Sequence, residues 1–161
     1  EENMNITVIS VGKIKEKYFT AAIDEYAKRL SRFAKLNIIE VADEKIPDNA
    51  SEKEMEQIKE KEGNKILAKL PQNSFVVTLC IEGKEHSSEE LAKKIADISM
   101  TSSHITFIIG GSLGLSDTVK SKSALRLSFG KMTLPHQLMR VVLLEQIYRA
   151  FKINNNESYH K

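Results

Sequence analysis

Side chains suited to acid–base chemistry are concentrated near the end of the chain, between Leu127 and Lys161. Two are imidazoles, two are guanidinium groups, one is a carboxylate and one is a phenol: His136, Arg140, Glu145, Arg149, Tyr159 and His160. An imidazole has a pKa near neutrality and can accept a proton, whereas an arginine can stabilise an anion or anchor a phosphate. These six residues are the candidates for catalytic roles.

Each candidate also has an ordinary structural explanation. Glu145 and Arg149 have the i to i+4 spacing of a common helix-supporting ion pair. His136 follows a proline suited to the first turn of a helix, so it can be a hydrogen-bonded structural residue. Tyr159 can simply hold down the end of the chain. The sequence does not decide which group would accept a proton and which would stabilise charge.

Two loops at predicted strand ends are suited to binding a ligand. Gly110, Gly111 and Gly114 would let the backbone approach a ligand closely, although a tight turn explains them equally well. The second loop, residues 129–133, joins a predicted strand to a predicted helix, where open α/β sheets bind ligands. Neither loop has the dinucleotide GxGxxG pattern or the Walker pattern, which disfavours NAD- and ATP-dependent enzymes.

These loops must be positioned by an alternation of strands and helices. Apolar, β-branched runs predict five strands, at residues 5–11, 36–41, 75–81, 105–109 and 124–128. Capping boxes at Ser51/Glu54 and Ser87/Glu90 predict the starts of two helices. The alternation predicts an α/β fold with a mostly parallel five-stranded sheet and helices on both faces. A final helix from Pro135 to Phe151 is apolar all round, so we expect it to be buried on several sides and to form a two-fold dimer.

Composition limits the class of protein. With 161 residues, 41% hydrophobic and 29% charged, the chain fits one soluble domain, and the first Met, Met4, indicates that residues 1–3 are a cloning remnant. No apolar run approaches the roughly 18 residues of a membrane span, so we expect a cytoplasmic protein. The lone Cys80 is expected to be a buried, inert thiol, and the Cys and His residues lack metal-site spacing. A net charge of +2 does not by itself indicate nucleic-acid binding, and the Lys13, Lys15 and Lys17 cluster fits either phosphate contact or a solvated helix start.

A resemblance to a known family rests on the segments PHQLMRVVLLEQIYRAFKI and ESYHK, with FIIGGSLGL upstream. They resemble the RlmH family of SPOUT-class methyltransferases, and the likeness runs along essentially the whole chain from Met4. It implies that residues 4–161 form one SPOUT-type domain with a C-terminal trefoil knot. It also implies S-adenosyl-L-methionine (SAM) as the cofactor. The implied reaction is methylation of N3 of pseudouridine 1915 in 23S ribosomal RNA on assembled ribosomes, by a homodimer without metal.

The resemblance also implies where SAM would bind. Three strand ends would form the pocket, through residues Leu79, Gly110, Gly111, Gly114, Phe129, Gly130, Lys131, Met132, Thr133 and Leu134. Family members often carry a glycine and a proline where this chain has Asn154–Asn156 and Ser158. Because Asn can adopt the left-handed conformation, we expect the turn to survive. Two alternatives stay open: a SPOUT enzyme acting on another RNA, such as transfer RNA, and a non-catalytic ribosome-binding protein of the same fold.

Overall fold

The apolar runs of the sequence form five strands in the computed structural model, which describes residues 4–159. The strands are β1 Met4–Val11, β2 Ala34–Val41, β3 Phe75–Glu85, β4 His104–Ile109 and β5 Leu125–Ser128. They make one sheet in the order β2-β1-β4-β3-β5, and each pairing between these strands is parallel. The predicted sheet is confirmed.

Over residues 4–159, five helices cover both faces of the sheet. They are α1 Lys17–Leu30, α2 Glu52–Lys69, α3 Ser88–Ser99, α4 Asp117–Lys120 and α5 His136–Asn154. Both predicted capping boxes are present. The hydroxyl oxygens of Ser51 and Ser87 accept the backbone N–H of Glu54 and Glu90, and the side chain of each glutamate accepts the backbone N–H of its serine. The short helix α4 was not predicted. Within residues 4–159, no helix is long and apolar enough to cross a membrane.

Two apolar layers hold the helices to the sheet. Ile6 and Val8 of β1 point into the layer that contains side chains of α1, α3 and α5. Ile9 and Val11 point into the opposite layer, with side chains of α2 and α4. This is the two-residue alternation of a strand, and a strand covered on both faces is apolar almost throughout. In α5, the buried side chains share one broad face, and the other residues from 136 to 153 are half-buried, so no side of the helix is fully exposed.

The edge of the sheet where β3 and β5 end is irregular. Leu79 and Lys84 both pair with Leu127, so residues 80–83 leave the ladder as a bulge. Gly83 makes this possible, because a Cβ atom there would lie 2.7 Å from the Arg126 carbonyl oxygen. β3 therefore continues to Glu85, beyond the predicted end at Ile81. The bulge carries residues 80–82 toward the ends of β4 and β5.

Candidate functional site

A cleft of about 750 Å³ lies where β3, β4 and β5 end, at the carboxyl edge of the sheet. All predicted cofactor-binding residues line it except Lys131: Leu79, Gly110, Gly111, Gly114, Phe129, Gly130, Met132, Thr133 and Leu134. The structure thus brings together three strand ends that lie far apart in the sequence. That these residues bind a cofactor stays a prediction. The volume lies within the range of small-molecule sites.

The glycine loop after β4 is packed too tightly at Gly110 to accept a side chain. A Cβ atom on Gly110 would lie 2.7 Å from the carbonyl carbon of Gly114, and the Gly114 N–H donates a 3.0 Å hydrogen bond to the Gly111 carbonyl. Gly114 has φ +85°, and Gly130 in the other loop has φ +114°. Both angles favour glycine. The loops therefore present backbone, not side chains, to part of the cleft.

Helix α2 packs against the glycine loop and the chain that follows it. A Cβ atom on Gly63 would lie 2.6 Å from Ser116 Oγ, so α2 and the chain after the loop are in close contact. Next to it, Glu62 is only 5% exposed and accepts the Glu44 N–H at 3.0 Å. Burial raises the pKa of this carboxyl group. Sequence reasoning missed Glu62, because the charged residues around it indicated a solvated helix face.

His136, at the start of α5, lines the cleft together with Met139. Among the residues that the structure describes, it is the one imidazole in this lining. Burial lowers its pKa, and the nearby Arg140 charge lowers it further, while Asp43 opposes the shift. The ring is therefore neutral at neutral pH and has a nitrogen able to accept a proton.

Arg140 lies outside the cleft lining, with 3% of its surface exposed. Its Nη1 donates to Glu40 Oε2 at 2.8 Å, and its Nη2 donates to the carbonyl oxygens of Val11 and Gly12, each at 2.8 Å. Burial lowers the pKa of the guanidinium, and Glu40 opposes that shift. These contacts tie the first turns of α5 to the ends of β1 and β2. A direct catalytic role for Arg140 stays a prediction.

The remaining described candidates form a second cluster farther along α5. Tyr159 donates its hydroxyl proton to Glu145 Oε2 at 2.8 Å, and Arg149 forms an ion pair with Glu145 Oε1 at 2.7 Å. The Arg149 guanidinium lies 4.7 Å from the centroid of the Tyr159 ring. None of the three lines the cleft. His160 lies outside the described residues.

Two features fix the tail before Tyr159: the backbone turn at Asn156 and an ion pair of Glu157. Asn156 has φ +54°, which confirms that an asparagine takes the left-handed conformation here. Glu157 then forms an ion pair with Arg32 of the loop after α1, at 2.6 Å.

Burial and the Glu145 carboxylate raise the pKa of Tyr159, so its phenol stays protonated.

Sequence reasoning also missed charged residues of the lining. Lys59, Glu82 and Lys120 line the cleft, and Cys80, buried as predicted, reaches it as well. Glu82 follows the third predicted strand at the ligand-binding edge, so its position was a usable signal. Lys120 gave no signal, because the unpredicted α4 places it there. Within residues 4–159, no group of three or more His, Cys, Asp or Glu could hold a metal ion.

A parallel sheet with its cleft at the carboxyl ends of the strands defines an α/β ligand-binding protein. Residues 4–160 match the family model described as "Predicted SPOUT methyltransferase", and the chain belongs to this methyltransferase family. Its similarity to proteins named ribosomal RNA large subunit methyltransferase H is high. The Clostridioides difficile protein is 60% identical over 159 residues, and the Clostridium novyi protein is 62% identical. Both alignments cover 98% of this chain and 100% of the relative, which confirms the resemblance to RlmH.

Two solved structures share the fold at low sequence identity. A probable methylase family protein of Haemophilus influenzae has a TM-score of 0.53 and 15% identity, over 99% of this chain and 71% of that one. A putative methyltransferase of Legionella pneumophila, solved with bound SAM, has a TM-score of 0.50 and 12% identity, over 92% and 66%. Likeness at this level concerns the fold alone. It agrees with the α/β class that the sequence predicted.

Proposed function

We propose that this protein transfers the methyl group of SAM to N3 of a pseudouridine in 23S ribosomal RNA. The observation that carries the proposal is the cleft at the ends of β3, β4 and β5, where a glycine loop and a neutral imidazole share one cavity. Membership of a methyltransferase family calls for a methyl donor. The names of full-length relatives support large-subunit ribosomal RNA as the substrate.

The cleft fits SAM in size and in the character of its walls. Gly110, Gly111 and Gly114 line the cleft without side chains of their own, so their backbone groups can form hydrogen bonds with the adenosine. Leu79, Phe129, Met132 and Leu134 supply apolar surface for the adenine ring. When bound, SAM supplies a methyl group made electrophilic by its sulfonium.

His136 is the proton acceptor in this proposal. N3 of pseudouridine carries a weakly acidic proton, which must leave as the methyl group arrives. A neutral imidazole in the cofactor cleft can take that proton on a ring nitrogen, and the lowered pKa of His136 keeps the acceptor form available at neutral pH. The negative charge that develops on the base then needs a stabilising partner.

We further propose that a second copy of the chain supplies that partner. Along α5, His136 and Glu145 are separated by nine residues, about 13.5 Å at 1.5 Å per residue. The Glu145, Arg149 and Tyr159 cluster is therefore remote from the cleft of its own chain. In a two-fold pair with antiparallel α5 helices, the cluster of one chain would approach the His136 end of the other. Arg149 could then stabilise the anionic base and Tyr159 could stack on it.

Three coarser expectations belong to the same proposal. A single domain over residues 4–161 is supported by the one sheet that the described strands form. A trefoil knot is supported by membership of the SPOUT family. A cytoplasmic location is supported by the ribosomal substrate in the relatives' names.

The experiment is transfer of tritiated methyl groups from SAM to ribosomes that lack the modification, with the labelled nucleotide mapped. Assembled ribosomes and separated subunits are compared, because the proposal names the assembled particle. We expect label on one pseudouridine of 23S RNA, at N3, with assembled ribosomes as the better substrate. Binding of SAM without label in either preparation would overturn the proposed substrate, and transfer RNA would then be assayed.

A further inference from the structure

The charged side chains of the cleft are gathered on one wall. Among the described residues of the lining, the side chains that carry a full charge are those of Lys59, Glu82 and Lys120. Lys59 belongs to α2 and Lys120 to α4, the helices on one face of the sheet, whereas His136 belongs to α5 on the other face. The cleft therefore has a charged wall and, across the sheet edge, a wall with the imidazole.

Two of these residues form an ion pair that faces the cavity. Lys120 Nζ lies 2.7 Å from Glu82 Oε1, and the Lys120 side chain is 22% exposed while that of Glu82 is 55% exposed. The hydrogen bond to Lys120 lowers the pKa of Glu82, and the bond to Glu82 raises the pKa of Lys120, so both stay charged at neutral pH. Lys59 instead pairs with Glu56 at 2.6 Å.

The position of the pair depends on the irregular part of the fold. Glu82 lies in the bulge of residues 80–83, and Lys120 is the last residue of α4. An ion pair at the surface contributes little to the stability of the fold. At the edge of a cleft, however, the same two charges are available to a ligand that carries charges of opposite sign.

We propose that Lys120 and Glu82 bind the amino acid end of the cofactor, with Lys120 donating to its α-carboxylate and Glu82 accepting from its α-ammonium. This inference rests on the proposed use of SAM. The cofactor carries both charges on one carbon, so a lysine and a carboxylate 2.7 Å apart can each exchange their mutual contact for one with the ligand. Net charge in the cleft is unchanged by that exchange. The adenosyl and sulfonium groups are then left to the glycine loop and the wall with His136.

The test compares two ligands that differ in the amino acid end. S-adenosyl-L-homocysteine contains it, and 5′-methylthioadenosine keeps the adenine, ribose and sulfur without it. Calorimetry on the whole protein would give both affinities for wild type, Lys120→Met and Glu82→Gln. We expect Lys120→Met to weaken S-adenosyl-L-homocysteine about tenfold or more, because a charge-assisted bond is lost, and methylthioadenosine less than about twofold. Glu82→Gln should weaken the first ligand selectively as well.

Two further variants separate ligand contact from general effects. Lys122→Met removes an exposed lysine outside the cleft lining and should change neither affinity. Lys120→Arg keeps the charge and should restore most of the S-adenosyl-L-homocysteine affinity. Equal loss for both ligands in Lys120→Met, or no loss for either, would overturn the inference. Wild type that binds neither ligand would instead overturn the proposed cofactor, and the inference with it.

Discussion

At the scale of single residues, the burial of His136 determines which form of its imidazole is present at neutral pH. Its lowered pKa means that the proton-accepting form prevails at neutral pH and is lost as the pH falls through a value below the usual 6.5. If His136 accepts the N3 proton, the single-turnover rate should be flat near neutrality and decline in acid. His136→Gln should lower the rate by about 10²-fold or more and remove this decline.

The control for that experiment is His86→Gln. His86 lies in the loop between β3 and α3 and does not line the cleft. Its replacement should leave both the rate and its pH profile unchanged. A His136→Gln enzyme with the wild-type rate would show that another group accepts the proton.

Arg140 supports a prediction about stability. Arg140→Met would remove the guanidinium donor from the Val11 and Gly12 carbonyls and from the Glu40 carboxylate, which would keep the bond from the Ile14 N–H. The Glu40 side chain is 36% exposed and can be hydrated, so we expect a loss of about 3 kcal/mol, at the low end for a broken buried pair. Urea unfolding measures it. Arg126→Met, at an exposed position of β5, should cost less than about 0.5 kcal/mol, and equal losses would refute the anchoring role.

At the scale of elements, the glycine loop makes the cleft. Gly110→Ala would place a methyl group 2.7 Å from the Gly114 carbonyl carbon, and because that atom is backbone, the loop must shift. We expect SAM affinity to fall about tenfold or more. The measurement is calorimetry with SAM, alongside thermal unfolding to establish that the protein is folded.

Lys93→Ala, at an exposed position of α3 outside the cleft lining, is the control. It should change the SAM affinity less than about twofold. A Gly110→Ala protein that binds SAM as tightly as wild type would show that tight packing of the loop is not needed.

The same elements show what the sequence could and could not predict. Ser51 and Ser87 predicted the starts of α2 and α3 correctly, because a capping box is a local hydrogen-bond pattern within four residues. The bulge at residues 80–83 depends on how β5 pairs with β3, more than 40 residues away, and no local pattern encodes it. The charged sequence of α2 gave no sign that Glu62 is buried, because its burial depends on contacts with the glycine loop and with Glu44. The positions of the predicted strand ends identified most residues of the cleft. The pairing of Lys120 with Glu82 depends on tertiary contacts, which the sequence does not show.

At the scale of the whole molecule, one chain keeps His136 apart from the cluster of Glu145, Arg149 and Tyr159. His136 lines the cleft, while Tyr159 bonds to Glu145 farther along α5. If both groups act on one base, each site must combine the cleft of one chain with the tail of its partner. A dimer would be required for activity, and size measurement by light scattering should give twice the mass of one chain.

Mixing two inactive variants tests this arrangement directly. His136→Gln and Tyr159→Ala dimers should each have little activity. In a mixed dimer, one site combines both defects, and the other combines an intact cleft with an intact tail. Random exchange makes half of the dimers mixed, so about a quarter of wild-type activity should return if each site spans two chains. If each site lies within one chain, every site in the mixture carries a defect, and methyl transfer to ribosomes stays at the level of the separate variants.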